Sequence, residues 1–121
     1  VSFLDAVDPV PHYAAADVYV QPTWYDPCSL VTLEAAACGL PVITTRYNGA
    51  SELMHDGLDG YVLEDPHDVA TLAARMQALL DPALRNTMGA AGRAVALQHT
   101  FERQTDEFLE LYREIMERRA R

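Results

Sequence analysis

The stretch Ser29-Leu-Val-Thr-Leu-Glu-Ala-Ala-Ala-Cys-Gly39, followed by Leu40-Pro-Val-Ile-Thr-Thr45, decides the fold of this chain. Its first part has the pattern of an apolar helix, and its second part contains a short strand over Val42–Thr44. Further β-rich runs occur at residues 2–4, 17–20 and 60–63, separated by helix-like segments. Short apolar strands that alternate with helices indicate parallel pairing, with both faces covered. The sequence therefore predicts half of a doubly wound α/β sheet.

Glu34 is the one acidic residue within this apolar helix. A helix that is apolar almost all round is expected to be buried, and a buried carboxylate requires a polar partner. Asp26 lies eight residues earlier, so the two acids stand on either side of the predicted helix start. If both were on the helix, they would be about 12 Å apart along its axis at ~1.5 Å per residue. Such a pair suits a ligand with hydroxyl groups at both ends and an anion between them.

The loops that follow the predicted strands are where a site is expected, because open α/β sheets bind ligands beyond the carboxyl ends of their strands. One of these loops leads into the helix of Glu34, and another contains the turn Asn48-Gly49. An Asn-Gly turn allows backbone amides to face a ligand. The first helical turn also exposes amides where the helix dipole favours a phosphate, here those of Ser29, Leu30 and Val31.

Three Asp-Pro pairs suggest helix starts, because aspartate is a preferred N-cap and proline fits the first helical position. They are Asp26-Pro27, Asp65-Pro66 and Asp81-Pro82. Asp26 therefore has two possible roles, as a helix cap or as a ligand contact. Further along, apolar residues at helical spacing over 101–119 predict a long amphipathic C-terminal helix, whose apolar stripe we expect to pack into the core.

Composition excludes several classes of partner. The chain has 121 residues with 9 basic and 18 acidic side chains, and a net charge of −9 argues against nucleic acid and anionic membrane surfaces. No apolar run approaches the ~20 residues of a membrane span. Cys28 and Cys38 flank the helix about 15 Å apart, too far for a disulfide, which favours a reducing, cytoplasmic location. The four histidines lack metal-ligand spacing, so we expect no metal.

Four ordered blocks closely resemble the retaining glycosyltransferases of the GT-B fold called family four. The blocks are Ala15–Pro22, Asp26–Thr45, Asn48–Glu52 and Gly57–Leu63. The resemblance implies that residues 1–121 form the latter half of the nucleotide-sugar-binding C-terminal domain, with a Rossmann-like parallel sheet and 101–119 as its last helix. Because the chain begins on strand-like residues, we expect it to be a fragment whose unpaired edge promotes self-association.

The resemblance also implies a reaction, in which a sugar passes from a nucleotide-diphosphate sugar to an acceptor with retention of configuration. Asp26 would contact the donor sugar and Glu34 the ribose. The amides of Ser29, Leu30 and Val31 would hold the distal phosphate. The loop around Val7 would touch the base, and the donor site would also include Asn48 and Gly49. The first acid of this motif is usually Glu, and Asn48-Gly49 replaces a usual glycine pair, so the donor sugar stays open.

The same resemblance places the acceptor, a glycan or lipid-linked sugar, on an N-terminal domain upstream of residue 1. A basic pair that neutralises the diphosphate would also lie upstream, so the fragment alone is expected to be inactive. An alternative is a nucleotide-sensing or scaffold domain without catalysis, whose support is the amphipathic helix over 101–119. A nucleotide-sugar epimerase or a phosphorylase of the same fold is a further alternative.

Overall fold

A computed structural model describes residues 1–119 of the chain. Residues 1–119 form five α-helices, three strands and one 3-10 helix, which fall into two groups in chain order. The first group, with one short 3-10 helix, is α1 Val10–Ala15, β1 Tyr19–Gln21, α2 Leu30–Ala37, β2 Val42–Thr45 and the 3-10 helix Gly49–Leu53. The second group is β3 Tyr61–Leu63, α3 Val69–Ala78, α4 Pro82–Ala96 and α5 Phe101–Arg119.

The three strands form one parallel sheet in the order β1-β2-β3. Val20 of β1 lies opposite Ile43 of β2, and Ile43 lies opposite Tyr61 of β3. The parallel α/β architecture expected from the sequence is therefore confirmed. The strands predicted at 17–20, 42–44 and 60–63 are each present, with bounds shifted by one or two residues.

The core lies on both faces of the sheet, because neighbouring residues of a strand point to opposite sides. Val42 packs in one cluster with Tyr13, the alanines of α2 and Ala96 of α4. Ile43 packs in a second cluster with side chains of β3, α3 and α4. All four residues of β2 are buried, so β2 is the central strand between the two layers.

The strand expected at residues 2–4 is wrong. Residues 1–9 contain no strand, and Phe3 and Leu4 are 94% and 60% exposed. An apolar run becomes a strand only when a neighbour supplies hydrogen bonds, and β1 pairs with β2 alone among residues 1–119. The free edge expected to promote self-association thus belongs to β1, and self-association itself stays a prediction.

Of the three predicted helix caps, Asp81 is confirmed, whereas Asp65 and Asp26 are wrong. Asp81 caps α4, with its side chain accepting from the Ala83 amide and Pro82 in the first turn, as expected. By contrast, α3 begins at Val69 and its cap is Asp68, which accepts from the Thr71 amide. Asp65 accepts from the amide of His67, so it closes a turn before the helix.

The last helix, α5, spans Phe101–Arg119 and has no buried residue. Its apolar side chains, expected in the core, are exposed, including Phe101 at 70% and Met116 at 71%. The amphipathic pattern marks a face able to pack, but no described element lies against most of it. No helix within residues 1–119 has the length and apolar character needed to cross a membrane.

Candidate functional site

Asp26 lies in the loop between β1 and α2, at the carboxyl end of the sheet. The N-cap of α2 is Ser29, three residues further on, so the expected capping role of Asp26 is wrong. The chain around Asp26 instead runs beside the turn after β2: its amide donates to the Tyr47 carbonyl at 3.0 Å, and its carbonyl accepts from the Gly49 amide at 2.8 Å. These two bonds fix the backbone and leave the half-buried side chain available.

Asn48 joins this loop to its surroundings. Its side chain is fully buried, and the Oδ1 atom accepts from the amides of Ser29 at 3.3 Å and Ala50 at 3.1 Å. The Nδ2 atom donates to the hydroxyls of Thr32 and Thr44, both at 3.0 Å. Asn48 therefore links α2, β2 and the 3-10 helix. Its predicted contact with a ligand stays a prediction, and the observed bonds support a positioning role.

Gly49 allows the two loops to approach. A Cβ atom at this position would lie 1.8 Å from the Pro27 carbonyl oxygen and 2.7 Å from its carbon. The amide of Gly49, expected to face a ligand, donates to the carbonyl of Asp26. The turn Asn48-Gly49 thus holds Asp26 in place through backbone contacts.

The N-terminus of α2 offers two open amides rather than three. The Ser29 amide is occupied by Asn48, and Ser29 is buried. Leu30 and Val31 lie in the first turn, where a helix provides no carbonyl four residues earlier. Their side chains are 52% and 41% exposed, so this end of the helix is accessible. An anion placed here would meet amide donors and the positive end of the helix dipole.

Glu34 is exposed, so its expected burial is wrong. The buried side of α2 carries Thr32, Ala35 and Ala36, while Glu34 shares the opposite side with Leu30. The helix α2 is therefore apolar on nearly every side but is not buried on every side, because no element within residues 1–119 covers the side of Glu34 completely. The Tyr13 hydroxyl donates to Glu34 Oε2 at 3.3 Å and leaves the other carboxylate oxygen accessible.

Tyr13 supports Glu34 as a neutral donor. Burial, together with the neighbouring Glu34 carboxylate, raises the pKa of Tyr13 to about 12. The hydroxyl therefore stays protonated, and able to donate to Glu34, to a higher pH than an ordinary tyrosine. Sequence reasoning missed this residue, since an aromatic residue in a short helix carries no sign of a polar partner 21 positions away.

A cavity of about 420 Å³ lies beside Glu34, between α2 and the start of α5. Leu30, Leu33 and Glu34 line its α2 side, and Phe101 and Glu107 line its α5 side. Asp26 does not line it. The cavity therefore extends from Glu34 to Leu30 in the first turn of α2 and does not reach Asp26.

The remaining predicted residues are less constrained. Val7 is 50% exposed in the segment before α1, and its predicted contact with the base stays a prediction. Cys28 and Cys38 are both free and exposed. Within residues 1–119, no three His, Cys, Asp or Glu side chains cluster in a way that could hold a metal ion.

The polar groups gather at the carboxyl ends of β1 and β2 and at the first turn of α2. A site at this edge of a parallel sheet is typical of Rossmann-like ligand-binding domains. The sequence model of the family described as "Glycosyl transferases group 1" matches residues 1–82. The chain belongs to this family, and its fold is that of part of a GT-B C-terminal domain.

Known relatives and solved structures agree with this family. The chain is 37% identical over 109 residues to D-inositol 3-phosphate glycosyltransferase from Thermobifida fusca, covering 88% of this chain and 25% of that protein. The structure of sucrose-phosphate synthase from Thermosynechococcus elongatus matches with a TM-score of 0.86 and 32% identity, over 95% of this chain and 30% of that one. HepE from Anabaena, solved in complex with UDP-glucose, matches with a TM-score of 0.76 and 27% identity, over 89% and 31%. The chain thus spans about a quarter of the length of this curated relative.

Proposed function

We propose that this chain provides donor-binding residues of a glycosyltransferase that transfers a sugar from a nucleotide-diphosphate sugar with retention of configuration. The observation that carries the proposal is the arrangement along α2: Asp26 precedes the helix, open amides lie at its first turn, and Glu34 follows on an exposed side. Two acids that can accept from hydroxyl groups thus lie on either side of a helix end that can bind an anion, which supports the proposal.

Each part of the site has a proposed role. Asp26 accepts hydrogen bonds from the donor sugar, and Glu34 accepts from the ribose. The amides of Leu30 and Val31 hold the distal phosphate, where the helix dipole stabilises the negative charge that develops on the departing diphosphate. That diphosphate itself takes the proton of the acceptor hydroxyl. The base lies near Val7.

The partners follow from the same proposal. The donor is a nucleotide-diphosphate sugar, and the acceptor is a glycan or lipid-linked sugar bound by another part of the full-length protein. The reaction uses no metal or other cofactor, and the protein is cytoplasmic. The 121-residue chain by itself is inactive in transfer.

Replacement of Glu34 by glutamine in the full-length protein should weaken UDP binding by about 1 to 3 kcal/mol, because a neutral amide replaces a charged acceptor. Isothermal titration calorimetry with UDP measures the change. Glu117→Gln, at an exposed position of α5, is the matched control and should bind UDP like the wild type. Unchanged affinity of a folded Glu34→Gln protein would contradict the ribose contact.

Replacement of Asp26 by asparagine should lower the rate of transfer from UDP-glucose about 10- to 100-fold, the effect of losing one charged hydrogen bond. Binding of UDP alone should change little, because UDP lacks the sugar. Asp26→Glu should retain transfer or shift the preferred sugar. A fully active Asp26→Asn protein would remove Asp26 from the sugar site.

The nucleotide-sensing or scaffold alternative has one supporting observation, the exposed apolar side chains of α5. A sensor would bind UDP through Glu34 and would not need Asp26. Transfer activity in the full-length protein, lost in Asp26→Asn, therefore separates the two functions.

A further inference from the structure

Gln21, the last residue of β1, has a side-chain oxygen that accepts three hydroxyl groups. Its Oε1 atom accepts from Tyr19 at 3.0 Å, from Ser29 at 2.9 Å and from Thr32 at 2.8 Å. The Thr32 hydroxyl in turn accepts from Asn48, so its own proton is free to donate to Gln21. Because three donors converge on one atom, the orientation of the Gln21 amide is fixed.

This orientation directs the Nε2 group of Gln21 towards Asp26. The Nε2 atom lies 3.5 Å from Asp26 Oδ2, at the long limit of a hydrogen bond. In the reversed orientation, the amide oxygen would face a carboxylate and the NH₂ group would face three hydroxyls. Among the hydrogen bonds of residues 1–119, none reaches Asp26 Oδ1.

We propose that Gln21 is a positioning residue that holds one carboxylate oxygen of Asp26 and turns the other towards the donor sugar. This inference rests on the proposed function of Asp26. Together with the backbone bonds of Asp26 to Tyr47 and Gly49, it fixes both the main chain and the side chain of this acid. Gln21 thus acts through Asp26 and does not touch the ligand.

Gln21→Glu tests the proposal, because glutamate still accepts the three hydroxyls but presents a second oxygen to Asp26. In the full-length protein, kcat with UDP-glucose should fall about tenfold or more, the effect of one lost charge-assisted hydrogen bond. The affinity for UDP should fall less than kcat does, because UDP lacks the sugar that Asp26 contacts in the proposed site. Gln77→Glu makes the same charge change at an exposed position of α3 and should leave both quantities unchanged.

The double variant shows whether Gln21 acts through Asp26. Gln21→Glu should cause no further loss of kcat in the Asp26→Asn protein, because the acid that it positions is already absent. Multiplied losses, or an unchanged kcat in Gln21→Glu, would overturn the proposal. If instead Asp26→Asn is fully active, the proposed function of Asp26 fails first.

A measurement on the 121-residue chain covers the case in which Gln21→Glu does not fold. The side-chain amide resonances of Gln21 should shift between wild type and Asp26→Asn in NMR spectra, whereas those of exposed Gln77 should not. Unshifted Gln21 resonances would overturn the contact and with it the proposal.

Discussion

Replacement of Asn48 by alanine is expected to lower the free energy of unfolding by about 3 to 5 kcal/mol. The side chain is fully buried and makes four hydrogen bonds. Its loss leaves the buried amides of Ser29 and Ala50 without their acceptor, at about 1 to 3 kcal/mol for each unsatisfied group. Since domains of this size are stable by about 5 to 15 kcal/mol, much of the stability would be lost.

Urea denaturation followed by circular dichroism measures this change. Asn86→Ala, at an exposed position of α4, is the matched control and should not destabilise the chain, because alanine is the better helix former. A loss below about 1 kcal/mol in Asn48→Ala would mean that water or neighbouring groups replace all four bonds.

Gly49→Ala is expected to destabilise the chain by about 3 kcal/mol, at the upper end of overpacking effects. Its Cβ atom would lie 1.8 Å from the Pro27 carbonyl oxygen, and a backbone atom cannot move aside as a side chain does. The loop that carries Asp26 must therefore shift, so the sugar transfer proposed for the full-length protein should fall as well.

Gly39→Ala separates this steric effect from backbone conformation. Gly39 has a φ of +85°, but a Cβ atom there would meet nothing within 4 Å. Its substitution should cost only about 1 to 2 kcal/mol, the penalty of the left-handed region. Equal losses in the two variants, measured by denaturation, would contradict the close approach of Gly49 to Pro27.

The sheet was predictable because its strands carry local signals. Val42–Thr45 is short and β-branched throughout, and such a run favours a buried strand in a parallel sheet when strands lie on both sides of it. Residues 2–4 are also short and mostly apolar, but they contain no β-branched residue and have no partner strand, and pairing is not visible in a local pattern. The strand expected there was therefore wrong.

The candidate site was predictable only in part. The family resemblance over Asp26–Thr45 predicts Asp26 and Glu34 as site residues. The exposure of Glu34, however, depends on which elements pack against α2, and the spacing of apolar residues does not predict those elements. The pair Asn48-Gly49 predicts a turn residue at position 48, because Asn-Gly is typical of turns. Its burial arises from three distant segments that meet in the fold. Gln21 had one local signal, a polar side chain at the end of an apolar strand.

The bonds of Asn48 also limit how this site can change during evolution. The Asn48 side chain holds together the loop before α2 and the loop after β2. An insertion or deletion in either loop would therefore disturb the other. Trp24, Tyr25 and Tyr47 lie on the same loops with exposed side chains, so they can be exchanged without loss of those bonds. Homologues can therefore diverge in ligand preference through these side chains while the paths of both loops stay constant.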